Sequence, residues 1–165
     1  MPSAQQVKLI TAAWTKVRAI GLLPAGELFF RTLFTAHPEG LALFKSFSSL
    51  PDYEQTDAFK EHSLTVFTAL DKALSLLGDL DTLLAVLGQL GDRHVQYGVK
   101  PEHYDWIGEA LVGTLSTALG AEFTDETEKA YLCLYAVVAA TMKGDNYPKP
   151  DAWYNNGALP ITDVA

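Results

Sequence analysis

The sequence predicts an all-α fold, and three observations carry that reading. Apolar residues recur at three- and four-residue spacing through successive stretches of the chain. A glycine or proline stands at each junction between stretches, at Gly21, Pro38, Gly78, Pro101, Gly120 and Gly144. No convincing run of alternating apolar and polar residues competes as a strand. With 165 residues, the chain most simply makes one domain, large enough to bury about 70% of the surface its unfolded form exposes. Its 48% hydrophobic content and mean hydropathy of +0.08 supply a sizeable core.

Each element has its own signal. Ser3 followed by Gln6 has the form of a capping box, and Val7, Ile10, Trp14 and Val17 then share a helical face, so a first helix is expected to about Ile20 with Trp14 in the core. Beyond Gly21, the run Leu28, Phe29, Leu33 and Phe34 marks a second helix. It must end near His37, because Pro38 disfavours helical backbone in the residue before it. Pro38 can itself open a short third helix through Leu43. Ser46 to Asp57 reads as a connecting loop with room for one helical turn, placed to set access to a pocket.

From Phe59, the positions Val66, Phe67, Leu70, Leu74 and Leu77 hold a helical stripe to Gly78, with His62 on or beside it. Asp79 or Asp81 starts the next helix, which continues through Leu84, Leu87 and Leu90 towards Gly98 and carries His94 in its last turn. Pro101 opens a helix through Tyr104, Ile107, Leu111 and Leu115, stopped by Gly120. Thr124 caps a final helix bearing Tyr131, Leu134, Tyr135 and Val138, which Gly144 closes. A domain over residues 1–144 therefore precedes an irregular tail, 145–165. Gly144, Pro148, Pro150, Gly157 and Pro160 oppose regular structure while Tyr147, Trp153 and Tyr154 supply aromatics, so disorder or loose docking is expected ahead of a defined interface.

A net charge of −8 and a pI near 4.8 oppose binding to phosphate backbones and anionic membranes, so neither nucleic acid nor membrane is an expected partner. The start, MPSAQQVKLI, lacks the pattern of a signal peptide, which makes a soluble cytoplasmic protein the expectation. Cys133 is the lone cysteine; it excludes an intrachain disulfide and reads as a small buried hydrophobe.

His62 and His94 are the most informative residues. Each lies in a helical apolar stretch, and the sequence between them is long enough for a chain reversal, so their imidazoles can face each other. Imidazole is a strong iron ligand, and an apolar slot with imidazoles on opposite walls suits a flat hydrophobic macrocycle such as haem. Phe30, Phe44 and Phe47 upstream, with Val66 one turn after His62, add apolar walls. Spacing alone leaves open that both histidines are ordinary core or surface residues. His37 and His103, at helix junctions, are expected at the surface, and Glu61 diverges from His62 along the helix.

At these residues the chain resembles the globin superfamily, over about residues 4–144. His37-Pro38-Glu39 followed by Phe44 and Phe47 looks like the globin region where a short helix precedes a haem-stacking phenylalanine, here Phe44. His62 with Val66 is similar to the distal pair, and Leu90-Gly91-x-x-His94-x-x-x-Gly98-Val99 to the proximal segment. The run from His62 to Val99, with Phe123-Thr124 and Leu134-Tyr135, looks most like neuroglobin-like chains, and single-domain bacterial globins are a more distant likeness.

The resemblance implies a three-on-three helical sandwich around a haem pocket. It implies one haem b held without covalent attachment, since no Cys-x-x-Cys-His occurs. His94 would be the proximal iron ligand, its other ring nitrogen held by a nearby backbone carbonyl. His62 would be the distal residue, either donating to bound dioxygen or binding the iron itself. Phe30 would line the distal pocket, and Val66, Val99, Tyr104, Ile107, Tyr135 and Val138 the rest of the pocket, while also serving as ordinary core.

The implied function is reversible binding of dioxygen or other diatomic ligands for storage, transport or sensing. The alternative is a bis-histidyl redox protein that reduces nitrite, consumes nitric oxide or transfers electrons with an external reductase. A haem-free interaction module is a third reading, which His94 argues against. Phe30 stands where flavohaemoglobin-like globins carry a tyrosine, and 165 residues leave no room for their reductase domain, which argues against an autonomous nitric oxide dioxygenase. The chain also departs from the neuroglobin pattern. Thr65 replaces a lysine directed at a haem propionate, Tyr131 a common tryptophan, and Cys133 stands alone where some members pair two cysteines. Arg93 is either a propionate partner or a solvated side chain, and monomer and homodimer both stay open.

Overall fold

Ser3 opens the first helix as its side chain dictates. In the computed structural model, which describes residues 1–147, the Ser3 hydroxyl accepts from the Gln6 backbone N–H at 3.2 Å and the Gln6 side chain accepts from the Ser3 N–H at 2.8 Å. Helix α1 spans Ala4–Ile20 and α2 Leu22–Ala36. Their axes turn through 103° at Gly21, whose φ of +112° an L side chain rarely adopts. A 3-10 helix, Pro38–Leu43, and a 3-10 turn, Tyr53–Gln55, lie within the connection to α3, Asp57–Ser75. Then follow α4, Leu80–Gln96, and α5, Pro101–Leu119, with a 3-10 turn over Gly120–Glu122 before α6, Asp125–Lys143.

The caps fall where the sequence places them. Asp79 accepts from the Thr82 N–H at 3.2 Å and Thr124 from the Thr127 N–H at 3.3 Å, satisfying donors that the first turn of a helix leaves free. Thr56, which the sequence did not single out, does the same for α3 through Phe59. The end of α3 comes earlier than the stripe suggests. Backbone bonds from Leu76 to Ala73 and from Leu77 to Leu74 tighten the chain after Ser75, so the turn before Gly78 is not α-helical.

Helices α1, α3 and α4 pack chiefly on α6, α2 and α6 respectively, and α5 packs on both α2 and α6, which gives the three-on-three sandwich. Gly26 lets α2 and α3 cross closely, since a methyl group there would lie 2.4 Å from the Ser63 carbonyl oxygen. The main core gathers Ile10, Trp14, Phe29, Phe67 and Leu115 between α1, α2, α3 and α5. A second cluster, Leu83, Leu87, Tyr104, Ala139 and Met142, joins α4, α5 and α6. Cys133 is only half-buried, a correction to the sequence reading. It flanks the α6 face carried by the buried Ala130, Tyr131 and Leu134. Among the described residues no single helix is long and apolar enough to cross a membrane.

Candidate functional site

The two apolar clusters meet along a seam, which is where the slot expected from the sequence would lie. Helix α3 leans on α2 and α4 on α6, not chiefly on each other. Leu77, Tyr135 and Val138 pack against both clusters and so line the seam. His62 projects from α3 and His94 from α4, and both are half-buried.

His62 is caged by aromatics. Its ring centroid lies 5.1 Å from that of Phe30, 5.1 Å from Phe44 and 6.0 Å from Phe47. Among the described residues nothing hydrogen-bonds to either of its nitrogens. Burial, and next the neighbouring His94, hold the His62 pKa below the ordinary histidine value, so the ring is neutral at neutral pH and keeps a free lone pair.

His94 is held differently. Its Nδ1 lies 2.8 Å from the Leu90 carbonyl oxygen, one turn earlier in α4. A carbonyl only accepts, so Nδ1 carries the proton and Nε2 presents the bare lone pair of a metal ligand. The backbone N–H of Val99 donates to the His94 carbonyl at 3.1 Å, which fixes the corner after α4.

The other expected lining residues divide. Phe44, Val66, Val99, Ile107, Tyr135 and Val138 are half-buried apolar side chains at the margins of the two clusters. Phe30 is buried behind His62. Tyr104 is 4% exposed and sits inside the second cluster, its carbonyl accepting from the Tyr135 hydroxyl. Among the described residues no three His, Cys, Asp or Glu side chains gather as a metal site. A donor set limited to two imidazoles fits an iron whose remaining positions a macrocycle fills, and the half-buried apolar walls fit its flat faces. Two clefts, of about 610 Å³ at the starts of α1 and α6 and about 310 Å³ between α1 and the end of α3, contain neither histidine.

His37 and His103 stay out of the slot, yet neither is simply a surface group. Both rings pack on Trp106 with centroids 4.6 Å away, and His37 Nε2 lies 3.0 Å from Glu109. Trp106 draws them down: His103 shares its helix face at i, i+3 spacing, whereas His37 reaches it from another part of the chain. Arg93 is exposed, as is Glu61. The start of the tail is docked: the Tyr147 hydroxyl donates to the Val99 carbonyl at 2.8 Å and the Asn146 amide to Asp92 at 3.0 Å. The rest of the tail, including Trp153 and Tyr154, lies outside the described residues.

A family model for globins matches residues 27–142. The chain is 33% identical over 158 residues to a neuroglobin of Tetraodon nigroviridis, with 94% of each chain covered. It is 32% identical over 158 residues to a neuroglobin of Dissostichus mawsoni, again with 94% of each covered. A neuroglobin of Danio rerio is 34% identical over 124 residues, 73% of this chain and 77% of that one.

Proposed function

Because the chain belongs to the globin family of haem-binding proteins, we propose that it holds one haem b between His94 and His62 and binds dioxygen reversibly there. The observation that carries this reading is the bond from His94 Nδ1 to the Leu90 carbonyl, which leaves Nε2 with a bare lone pair for a metal. When bound, haem would supply an iron able to take up imidazole and diatomic ligands. His94 then serves as the proximal ligand, its tautomer and basicity set by the Leu90 carbonyl. His62, neutral in its phenylalanine cage, has an N–H to donate to dioxygen, on which negative charge builds. Phe30, Phe44 and Val66 keep water from that side.

A second reading has its own support. Among the described residues no hydrogen bond to the His62 nitrogens has to be broken for the ring to serve as a second iron ligand. If His62 as well as His94 held the iron, it would compete with any added gas, whose apparent affinity would fall in proportion to the fraction of protein with His62 free. Redox work on nitrite or nitric oxide with an external reductase would follow from it. The proposed compartment is the cytoplasm, in keeping with a lone cysteine.

The test is the visible spectrum of the haem-loaded protein, reduced without air and then exposed to dioxygen. A broad single visible band before gas, changing reversibly on exposure, is the expected result for a carrier. Sharp split bands before gas favour the second reading, and His62→Leu should then abolish them and quicken carbon monoxide binding. A protein that takes up no haemin in about one-to-one ratio would overturn both readings.

A further inference from the structure

We infer that Gly91 is a positioning residue for His94, the point at which the proximal helix is seated on the last turn of α6. The inference rests on the haem reading above and adds what sets the height of His94 in the slot. Gly91 is buried on α4, three residues before His94. A methyl group at Gly91 would lie 2.0 Å from the Met142 carbonyl oxygen and 2.7 Å from both its carbonyl carbon and its Cα. An ordinary contact begins at 3.4 Å, so the first of these falls short by 1.4 Å, and the opposing atoms are backbone, which no rotamer change can withdraw. Gly88, one turn earlier in the same helix, has nothing within 4 Å of the same added atom. The intimacy at Gly91 is therefore specific to that turn and not a general feature of α4.

Further bonds from the same end of α6 bracket His94. Asn146 donates to Asp92 at 3.0 Å, and Tyr147 donates to the Val99 carbonyl at 2.8 Å. Val99 in turn donates to the carbonyl of His94. Since Nδ1 of His94 is tied to Leu90 within α4, its ring moves with the helix, and any retreat of α4 from α6 displaces Nε2 directly. A side chain at position 91 would force that retreat, although alanine is the better helix former.

The experiment compares haem-loaded wild type, Gly91→Ala and Gly88→Ala. Two properties are read: the midpoint reduction potential and the rate at which haem passes to an excess of acceptor apoprotein. Gly91→Ala is expected to shift the potential and speed haem loss by roughly tenfold or more, while Gly88→Ala keeps both at wild-type values. A Gly91→Ala protein that melts earlier but keeps the wild-type potential and haem-loss rate overturns the inference, because a purely structural role moves stability alone. If Gly91→Ala does not fold, Tyr147→Phe loosens the same seat by removing one hydroxyl, and a wild-type potential in that variant overturns the inference equally. Failure of the underlying reading looks different: wild type itself takes up no haem, and both fall.

Discussion

Asp71→Ala removes a carboxylate of α3 on which two side chains of α1 converge. Trp14 Nε1 donates to Oδ1 at 2.7 Å, and Arg18 Nε donates to the same oxygen. Trp14 is 2% exposed, so without Asp71 its indole N–H stays buried with no acceptor, at a cost of about 1–3 kcal/mol. The ion pair adds less, because Arg18 is half-exposed and Asp71 partly so; such pairs contribute about 0–1 kcal/mol. The expected loss is about 2 kcal/mol, which in a domain of this size lowers the melting temperature by roughly 4–8 °C. Asp71→Asn keeps an oxygen for Trp14 and gives up only the charge, so it should melt between the two.

The same carboxylate gives the loss a pH signature. The hydrogen bond from Arg18, and after it that from Trp14, outweigh burial and hold the Asp71 carboxyl below its ordinary value. A pKa depressed in the folded state contributes stability that is complete above the unfolded value, about 4, and is lost as pH falls through the folded value. Melting followed by far-ultraviolet circular dichroism, with all variants in the same haem state, checks this between about pH 7 and about pH 3. The gap between wild type and Asp71→Ala should be widest near neutrality and narrow at the acid end, where the protonated carboxyl, like the Asn amide, still offers Trp14 an oxygen. A gap under about 1 °C at neutral pH, or one that stays constant into acid, would refute the reasoning.

Three other substitutions probe different parts of the frame. Phe47→Ala empties a fully buried position that backs both Phe44 and His62, and should cost about 3–5 kcal/mol in urea unfolding and hasten haem loss. Retained stability would mean that the cage collapses around the gap. Thr124→Ala removes the cap of α6 and should cost about 1 kcal/mol, with Thr124→Ser restoring most of it in the same titration. Tyr131→Phe deletes a buried hydroxyl that donates to the Ile10 carbonyl at 3.1 Å and joins α6 to α1. It should cost about 1 kcal/mol while leaving the haem spectrum unchanged.

How much of this was legible in the sequence depended on how far apart the interacting residues lie. Ser3, Asp79, Pro101 and Thr124 announce helix starts because the groups that satisfy a first turn are within three or four residues. The stop of α3 was misplaced because its last turns tighten by backbone bonds that no single side chain announces. The stacking of His37 on Trp106, and the tilted contact of His103 with the same ring, are not legible because Trp106 lies far along the chain from His37 and an aromatic at a helix position reads as core by default. Gly91 was visible within a motif, but its reason, a backbone 51 positions away at Met142, was not.

The pocket walls mark the deeper limit. Phe44, Val66, Val99, Ile107, Tyr135 and Val138 sit at helical spacing or in a connecting segment and are as apolar as Phe67 or Leu115, yet they stay half-buried while those two are sealed. Apolar surface left in water forgoes about 25 cal/mol for each Å² that burial would remove. A fold that leaves several such side chains partly uncovered at the margins of its two clusters, instead of closing over them, offers a surface suited to a flat apolar group. Periodicity reports that a helix face will be covered, not what covers it. The distinction between protein core and cofactor wall therefore enters through the wall residues that can also ligate a metal, and in this chain those are His62 and His94.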